Sequence, residues 1–348
     1  MRKRLLAAVA ASAALASVML APGAQAAGPT LQRTVYDDFS SGFQTTGTGA
    51  KWFLVPTGTM TAGDGIPTTS GSGLNVVPTG TNPVTGNPAF AYTTTPESAG
   101  GDGSRDELKW VTMTTHQSSY GYPGFDAPVN GQVGCDIDMA SRTTGTAQNP
   151  FGISPQQAAG DLRLGSGVAM ATDSETDTVF DFFVTDTTVY AYYERLRMPG
   201  TTYAAFSYAV PVATRTPGEN DDYQMVLDRN SGKATWVLNG RTVLTVDKIG
   251  TLELPRKYLL IDHGGTQQQV FPRQLNCGVG MFTLLDGASQ NGQGLVQLDS
   301  TPGFYYNPLL GQPAPESFLD ETSQAQDRLW GEGVDLNVHS VSVLSGQS

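Results

Sequence analysis

The stretch 179–195, VFDFFVTDTTVYAYYER, constrains the fold most, because large side chains alternate with period two through both of its halves. Folded as a hairpin about Asp186 and Thr187, it sets Val184 against Val189, Phe182 against Ala191, and Phe180 against Tyr193. These pairs make an apolar face that needs a second layer to bury it. The opposite face carries Val179, Asp181, Phe183, Tyr190, Tyr192 and Glu194, and its mixture of rings and carboxylates reads as an open surface facing a ligand. The same register follows from a loop of two residues or four, so the assignment of faces is robust.

Similar short apolar runs recur at 34–39, 51–55, 73–77, 108–115, 132–140, 168–171, 203–212, 223–228, 234–238, 242–246, 258–262, 278–285 and 334–344. Gly, Pro and Asn punctuate them, and period 3.6 is almost absent, which predicts an all-β sandwich or barrel. A second hairpin over 223–238 tests this independently: Tyr223, Met225, Leu227, Ala234, Trp236 and Leu238 fall on one face. Asn239-Gly240 then supplies a type I′ turn into 242–246. The Gly-, Pro- and Thr-rich segment 63–88 reads as surface loops between strands. One helix is expected, short and near the C-terminus at 323–330, with Thr322 as its cap. No internal repeat at propeller or solenoid spacing is present.

Arg2, Lys3 and Arg4 precede an apolar run at 5–20 and the small-residue site Ala24-Gln25-Ala26, so 1–26 is read as a secretory signal peptide and 27–348 as one sandwich domain. No later segment has the roughly 20 apolar residues of a membrane span, and a secreted, extracellular product is expected. The formal net charge is −12, and losing the leader's three basic residues takes it to −15. Such a chain is a poor partner for nucleic acid or anionic membranes. Neutral polysaccharide, small apolar molecules and cations remain open. The two cysteines, Cys135 and Cys277, are expected to form a disulfide, which over so long a loop stabilises by about 5 kcal/mol on the chain-entropy model. Two buried thiols or metal ligation are the alternatives, and a catalytic pairing with His116, His263 or His339 has no local support.

The chain resembles the concanavalin A-like lectin and glucanase sandwich, through Tyr36-Asp37-Asp38-Phe39, Trp52, Gly73-Leu74-Asn75-Val76-Val77, the long central strands and the turn after Trp236-Val237-Leu238. More narrowly, it is similar to a family of secreted bacterial and fungal proteins catalogued only as a domain of unknown function. That resemblance runs from Tyr36 to the C-terminus through Gly124-Phe125-Asp126-Ala127-Pro128, Asp161-Leu162-Arg163-Leu164, the aromatic hairpin, 280–286 and 328–333. The implied fold is a jelly-roll sandwich of two antiparallel sheets. No activity comes with it.

Laminarinase-type members of the broad fold carry E-x-D-x-x-E or E-x-D-x-E on one strand, with two carboxylates about 5–5.5 Å apart for retaining chemistry. Here Asp136 and Asp138 share a strand face, but position 140 is Ala, so the outer carboxylate is missing. They read as an acid/base pair, a cation site or solvated surface. The segment Ser104-Arg105-Asp106-Glu107-Leu108 resembles the R-x-E-L strand of some alginate-lyase sandwiches, without the accompanying Q-x-H and Y-x-K-x-G-x-Y stretches. Asp37 and Asp38 suit a structural calcium or, more simply, turn capping; no other metal and no cofactor is implied. His263, beside two glycines, could titrate in a cleft or sit at an ordinary surface. Arg163 could clamp a ligand or pair with Asp161 or Glu194.

Two functions follow. The first is noncatalytic carbohydrate or small-ligand binding on a concave sheet, with Tyr190 and Tyr192 as stacking platforms and Asp181, Glu194 and Arg163 as hydrogen-bonding groups. The second is a carbohydrate-active enzyme, a glycosidase or less readily a polysaccharide lyase, using carboxylates of the same cleft. The missing third carboxylate favours binding. A structural or surface-associated protein without a small ligand is a third, bland possibility.

Overall fold

The aromatic stretch forms the expected hairpin residue for residue. Strands Thr178–Val184 and Thr188–Arg195 pair antiparallel with Val184 opposite Val189, Phe182 opposite Ala191 and Phe180 opposite Tyr193. The structure is a computed structural model that describes residues 31–347. The hairpin lies near the middle of a nine-stranded sheet that runs Leu259–Asp262, Phe206–Thr214, Thr188–Arg195, Thr178–Val184, Ser166–Asp173, Gln274–Phe282, Leu108–Thr114 and Trp52–Leu54, with Phe125–Asp126 added on Gln274–Phe282. An eight-stranded sheet packs against it. Its order is Arg241–Val246, Lys233–Leu238, Asn220–Asp228, Gly131–Thr144, Gly333–Gln347, Gly73–Val77 and Ile66–Ser70, with Gln32–Asp37 beside Gly333–Gln347. This is a jelly-roll sandwich of two large antiparallel sheets.

The inward faces follow from period two. Phe180, Phe182, Val184, Val189, Ala191 and Tyr193 meet Ile137, Met139, Tyr223, Met225, Leu227 and Trp236 in one buried core, and burial of this size supplies most of the folding drive. Tyr223 to Asp228 pairs with Lys233 to Leu238 in the anticipated register. Asn239 and Gly240 both take positive φ, 49° and 75°, as a type I′ turn requires. The Trp236 indole crosses between sheets to donate to the Asp181 carbonyl at 2.9 Å, so even the polar edge of this ring is satisfied.

Cys135 and Cys277 form the expected disulfide, closing a separation of 142 residues. It joins Gly131–Thr144 of one sheet to Gln274–Phe282 of the other. The aspartates at the start of the fold are engaged in turns: Asp37 accepts from the Phe39 amide at 3.0 Å and the Trp52 indole at 2.7 Å, and Asp38 accepts from the Ser40 amide at 3.0 Å.

Three expectations need correction. The helix expected at 323–330 is a single turn, Ala325–Arg328. Ser323 has φ 55°, outside the helical region, and Asp320 rather than Thr322 accepts the Gln324 amide, at 2.6 Å. A second single turn, Pro155–Ala158, has Ser154 as its cap and Pro155 at its first position, a start signal that was present in the sequence. The run at 278–285 leaves the sheet after Phe282, and its last residues do something else, described below. The leader at 1–26 lies outside the described residues. Among those described, no helix is long and apolar enough to cross a membrane.

Candidate functional site

The outer face of the nine-stranded sheet was expected to be open, and it is covered. Val179, Asp181, Phe183 and Tyr192 are all buried. Val179, Phe183 and Tyr192 join Val168, Met170, Phe282 and Leu284 in a second apolar cluster. The cover begins where the chain leaves the sheet after Phe282. The Thr283 amide donates to the Glu107 carbonyl at 3.1 Å, Leu284 to Arg163 at 3.0 Å, and Ala288 to Leu260 at 2.8 Å. Segment 283–289 therefore crosses the sheet face toward the far edge strand, Leu259–Asp262, with hydrogen bonds along its course. Tyr192 packs on Phe183 with centroids 4.4 Å apart, so its ring is not an open platform; Tyr190, two residues earlier, stays half-buried.

The crossing segment separates two hollows. One, of about 390 Å³, is lined among others by Glu107, Asp181, Tyr192, Glu194, His263 and Asp286. The other, of about 440 Å³, takes in Tyr190, Asp161, Arg163, Lys257 and several glutamines. The sequence candidates are thus divided: Asp181, Tyr192, Glu194 and His263 share the first hollow, whereas Tyr190 and Arg163 belong to the second. Asp136 and Asp138 are on the other sheet altogether.

Four carboxyl groups face the first hollow. Glu194 accepts from the Ser207 hydroxyl at 2.6 Å and from Tyr192 at 3.2 Å. Burial nevertheless pushes its pKa up to about 7, and the charge of Asp286 adds to the rise. Glu107 is raised well above the ordinary carboxyl range, first by burial and then by the charge of the neighbouring Asp286. Asp286 is held on its other side by the Tyr305 hydroxyl at 2.8 Å. Glu107 Oε1 and Asp286 Oδ1 are buried with no donor. A protonated Glu107 can donate where an ionised one can only accept.

Asp181 has a different setting. Its Oδ1 accepts the Ala171 amide at 3.0 Å, where the ladder between Ser166–Asp173 and Thr178–Val184 is interrupted between Ala169 and Thr172. Burial raises this carboxyl as well, but its first task is to take an amide that the sheet leaves unpaired. His263 places Nδ1 2.7 Å from the Phe304 carbonyl. A carbonyl only accepts, so Nδ1 carries the proton and Nε2 is the basic nitrogen. Burial lowers the pKa of the ring.

Arg163 does not reach Glu194. It pairs with Asp161 at 2.6 Å and donates to the Gly287 carbonyl at 3.2 Å, fixing the crossing segment. Asp136 is buried beside Asp222, and burial followed by that neighbour raises its pKa to about 7, while Arg33 lies 2.9 Å away. Asp138 contacts His339 at 3.4 Å. Among the described residues, no group of three or more His, Cys, Asp or Glu side chains has the arrangement of a metal site.

Glu107, Asp286, Ser207 and Tyr305 were not among the sequence candidates. Glu107 stood in the noted Arg105-Asp106-Glu107-Leu108 segment. Asp286, a lone acid ending the run Met281-Phe282-Thr283-Leu284-Leu285, gave the clearest unused signal.

The chain belongs to the family described as "Family of unknown function (DUF6081)", whose model matches residues 36–347. It is also similar to "Uncharacterized protein L829" of Acanthamoeba polyphaga mimivirus, at 28% identity over 183 residues, covering 36% of this chain and 42% of that protein. The match thus spans less than half of that relative's length. Solved structures similar to the chain include one described by "Prominent members of the human gut microbiota express endo-acting O-glycanases to initiate mucin breakdown" (10% identity, TM-score 0.42, covering 90% of this chain and 98% of that one). Another is the apo Crh5 transglycosylase (14%, 0.36, 91% and 85%). A third is the alginate lyase AlgAT5 from polysaccharide lyase family 7 (10%, 0.36, 85% and 94%).

Proposed function

We propose that this chain is an exported carbohydrate-active enzyme that cleaves glycosidic bonds in the carboxyl-lined hollow, with 1–26 as leader and 27–348 as one domain. The observation that carries the reading is the Glu107–Asp286 pair, with two buried oxygens that lack any donor, beside Glu194 raised to about 7. Crowding buried carboxyls costs stability, so such a cluster beside an open volume is better explained by proton transfer than by folding. A volume of about 390 Å³ lies within the range of small-ligand sites, roughly 300–1,000 Å³. Hydroxyl-rich, uncharged substrates suit it, because its carboxyls offer donors when protonated and acceptors when not, while the arginines of its lining are engaged, Arg105 with Asp102 and Arg197 with the Gly303 and Phe304 carbonyls.

In this reading Glu107, protonated beside Asp286, donates to the departing glycosidic oxygen. Glu194, when ionised, takes a proton from the attacking water, so one bond is hydrolysed and the protons balance. His263, with Nδ1 held by Phe304, orients substrate hydroxyls.

Reducing-sugar release over a panel of neutral polysaccharides tests the proposal. Activity on at least one polymer that disappears in both Glu107→Gln and Glu194→Gln is the expected result. Activity that survives both substitutions, or a panel on which the wild type releases nothing, counts against it.

A further inference from the structure

The second hollow, on the far side of segment 283–289, has the opposite chemistry to the first. Its charged groups are already answered. Asp161 and Arg163 pair through two contacts, at 2.9 and 2.6 Å, and the Lys257 ammonium stands 4.7 Å from the Tyr258 ring centre. The remaining lining is neutral: the amides of Gln156, Gln157 and Gln290, the ring of Tyr190 and the apolar edge of Pro211. Each amide carries both donors and an acceptor, which matches hydroxyls that also do both. The Tyr190 ring is held in advance, because its hydroxyl donates to the Gly160 carbonyl at 2.7 Å. A ring fixed in this way binds a sugar's C–H face with little further loss of rotamer freedom.

We infer that this groove is a separate, noncatalytic binding site for a neutral oligosaccharide. It contains no carboxyl free of a cationic partner, so it has no group suited to acid–base cleavage. The wall between it and the carboxyl-lined hollow is buried from Thr283 to Ala288 and anchored by the Arg163 contact with Gly287. A chain held in the groove is thereby kept apart from the acids, and the site serves to retain the protein on polysaccharide. This gives the binding role expected of Tyr190 a location of its own, independent of turnover in the neighbouring hollow.

The test is isothermal titration of the protein with cellohexaose, laminarihexaose, mannohexaose and chitohexaose, with an oligogalacturonate as the acidic comparison. At least one neutral hexaose should bind. Tyr190→Ala and Gln157→Ala should each weaken it by about tenfold, Tyr190→Phe, which keeps the ring but loses its bond to Gly160, should weaken it less, and Glu194→Gln should leave it unchanged. Should Tyr190→Ala fail to fold, Gln157→Ala and Gln290→Ala carry the same reading. The inference is overturned if no neutral hexaose binds, if the acidic oligomer binds in preference, or if Glu194→Gln abolishes binding while the groove variants keep it. Loss of turnover alone bears on the enzyme reading and not on this one.

Discussion

Two pairs of crowded carboxyls lie on opposite outer faces of the sandwich, and only one of them has the makings of a site. On the eight-stranded sheet, Asp136 is wholly buried beside Asp222 and reaches a pKa of about 7, with Arg33 of the first strand 2.9 Å away. On the nine-stranded sheet, Glu107 and Asp286 are crowded in the same way, but they line a hollow of about 390 Å³ together with Glu194 and His263. Burial and a like neighbour raise Asp136 in one place and Glu107 in the other. A shifted carboxyl therefore does not define a site by itself; room for a ligand and further polar groups converging on that room do.

The largest expected effect separates the pairs by chemistry. Glu194→Gln keeps the shape and the hydrogen bonds from Ser207 and Tyr192, yet should lower glycan cleavage by about a hundred- to ten-thousandfold. Steady-state rates on the best polysaccharide measure it. Next comes the link between the sheets, since Cys135 adjoins Asp136 and its partner Cys277 lies in the sheet that carries the hollow. Replacing both cysteines by alanine should cost about 2–5 kcal/mol of stability in denaturant unfolding, with the pH profile of cleavage unmoved. A displaced profile would mean that the two regions are coupled.

The pH dependence of stability is a smaller effect, and its sign follows from the raised pKa values. Glu194 moves from 4.5, and Asp136 from 3.8, to about 7 in the folded state. The folded protein then holds more protons than the unfolded chain between about 4 and 7. Stability from these groups is full at the low end and falls as pH rises through 7. Thermal melts should show Tm declining from pH 5 to pH 8, with a shallower decline in Glu194→Gln and in Asp136→Asn. A rising Tm over that interval would reverse the assignment. Asp136→Asn is the mildest change: cleavage should stay at the wild-type rate, and stability should move by only about 1 kcal/mol, since an exposed arginine partner contributes little. Cleavage falling as far as in Glu194→Gln would make the two acid pairs equivalent.

Much of the fold was legible because it depends on local alternation. The registers of 179–195 and 223–238, the Asn239-Gly240 turn and the partnership of Cys135 with Cys277 all followed from period two, turn chemistry or cysteine count. Period two assigns residues to faces, however, and does not say whether a face is covered. Tyr192 looked open because it alternates with core residues, yet Val179 and Phe183 on its own side already needed burial, and segment 283–289 supplies it. The acid pair was harder still to read, because Glu107 and Asp286 are far apart in sequence and meet only when the chain leaves the sheet after Phe282. Glu194, lying within the opening hairpin, was the one acid of the proposed chemistry that local pattern could single out.

The central claim is that Glu107, buried beside Asp286, holds the proton that the proposed chemistry donates, and infrared difference spectroscopy in the carboxylic-acid C=O stretch region tests it most directly. At pH 7 the wild type should show a protonated carboxyl band, part of which is lost in Glu107→Gln. A wild-type spectrum with no such band, or a band of equal strength in Glu107→Gln, would contradict a protonated Glu107 and remove the acid on which the proposed chemistry depends.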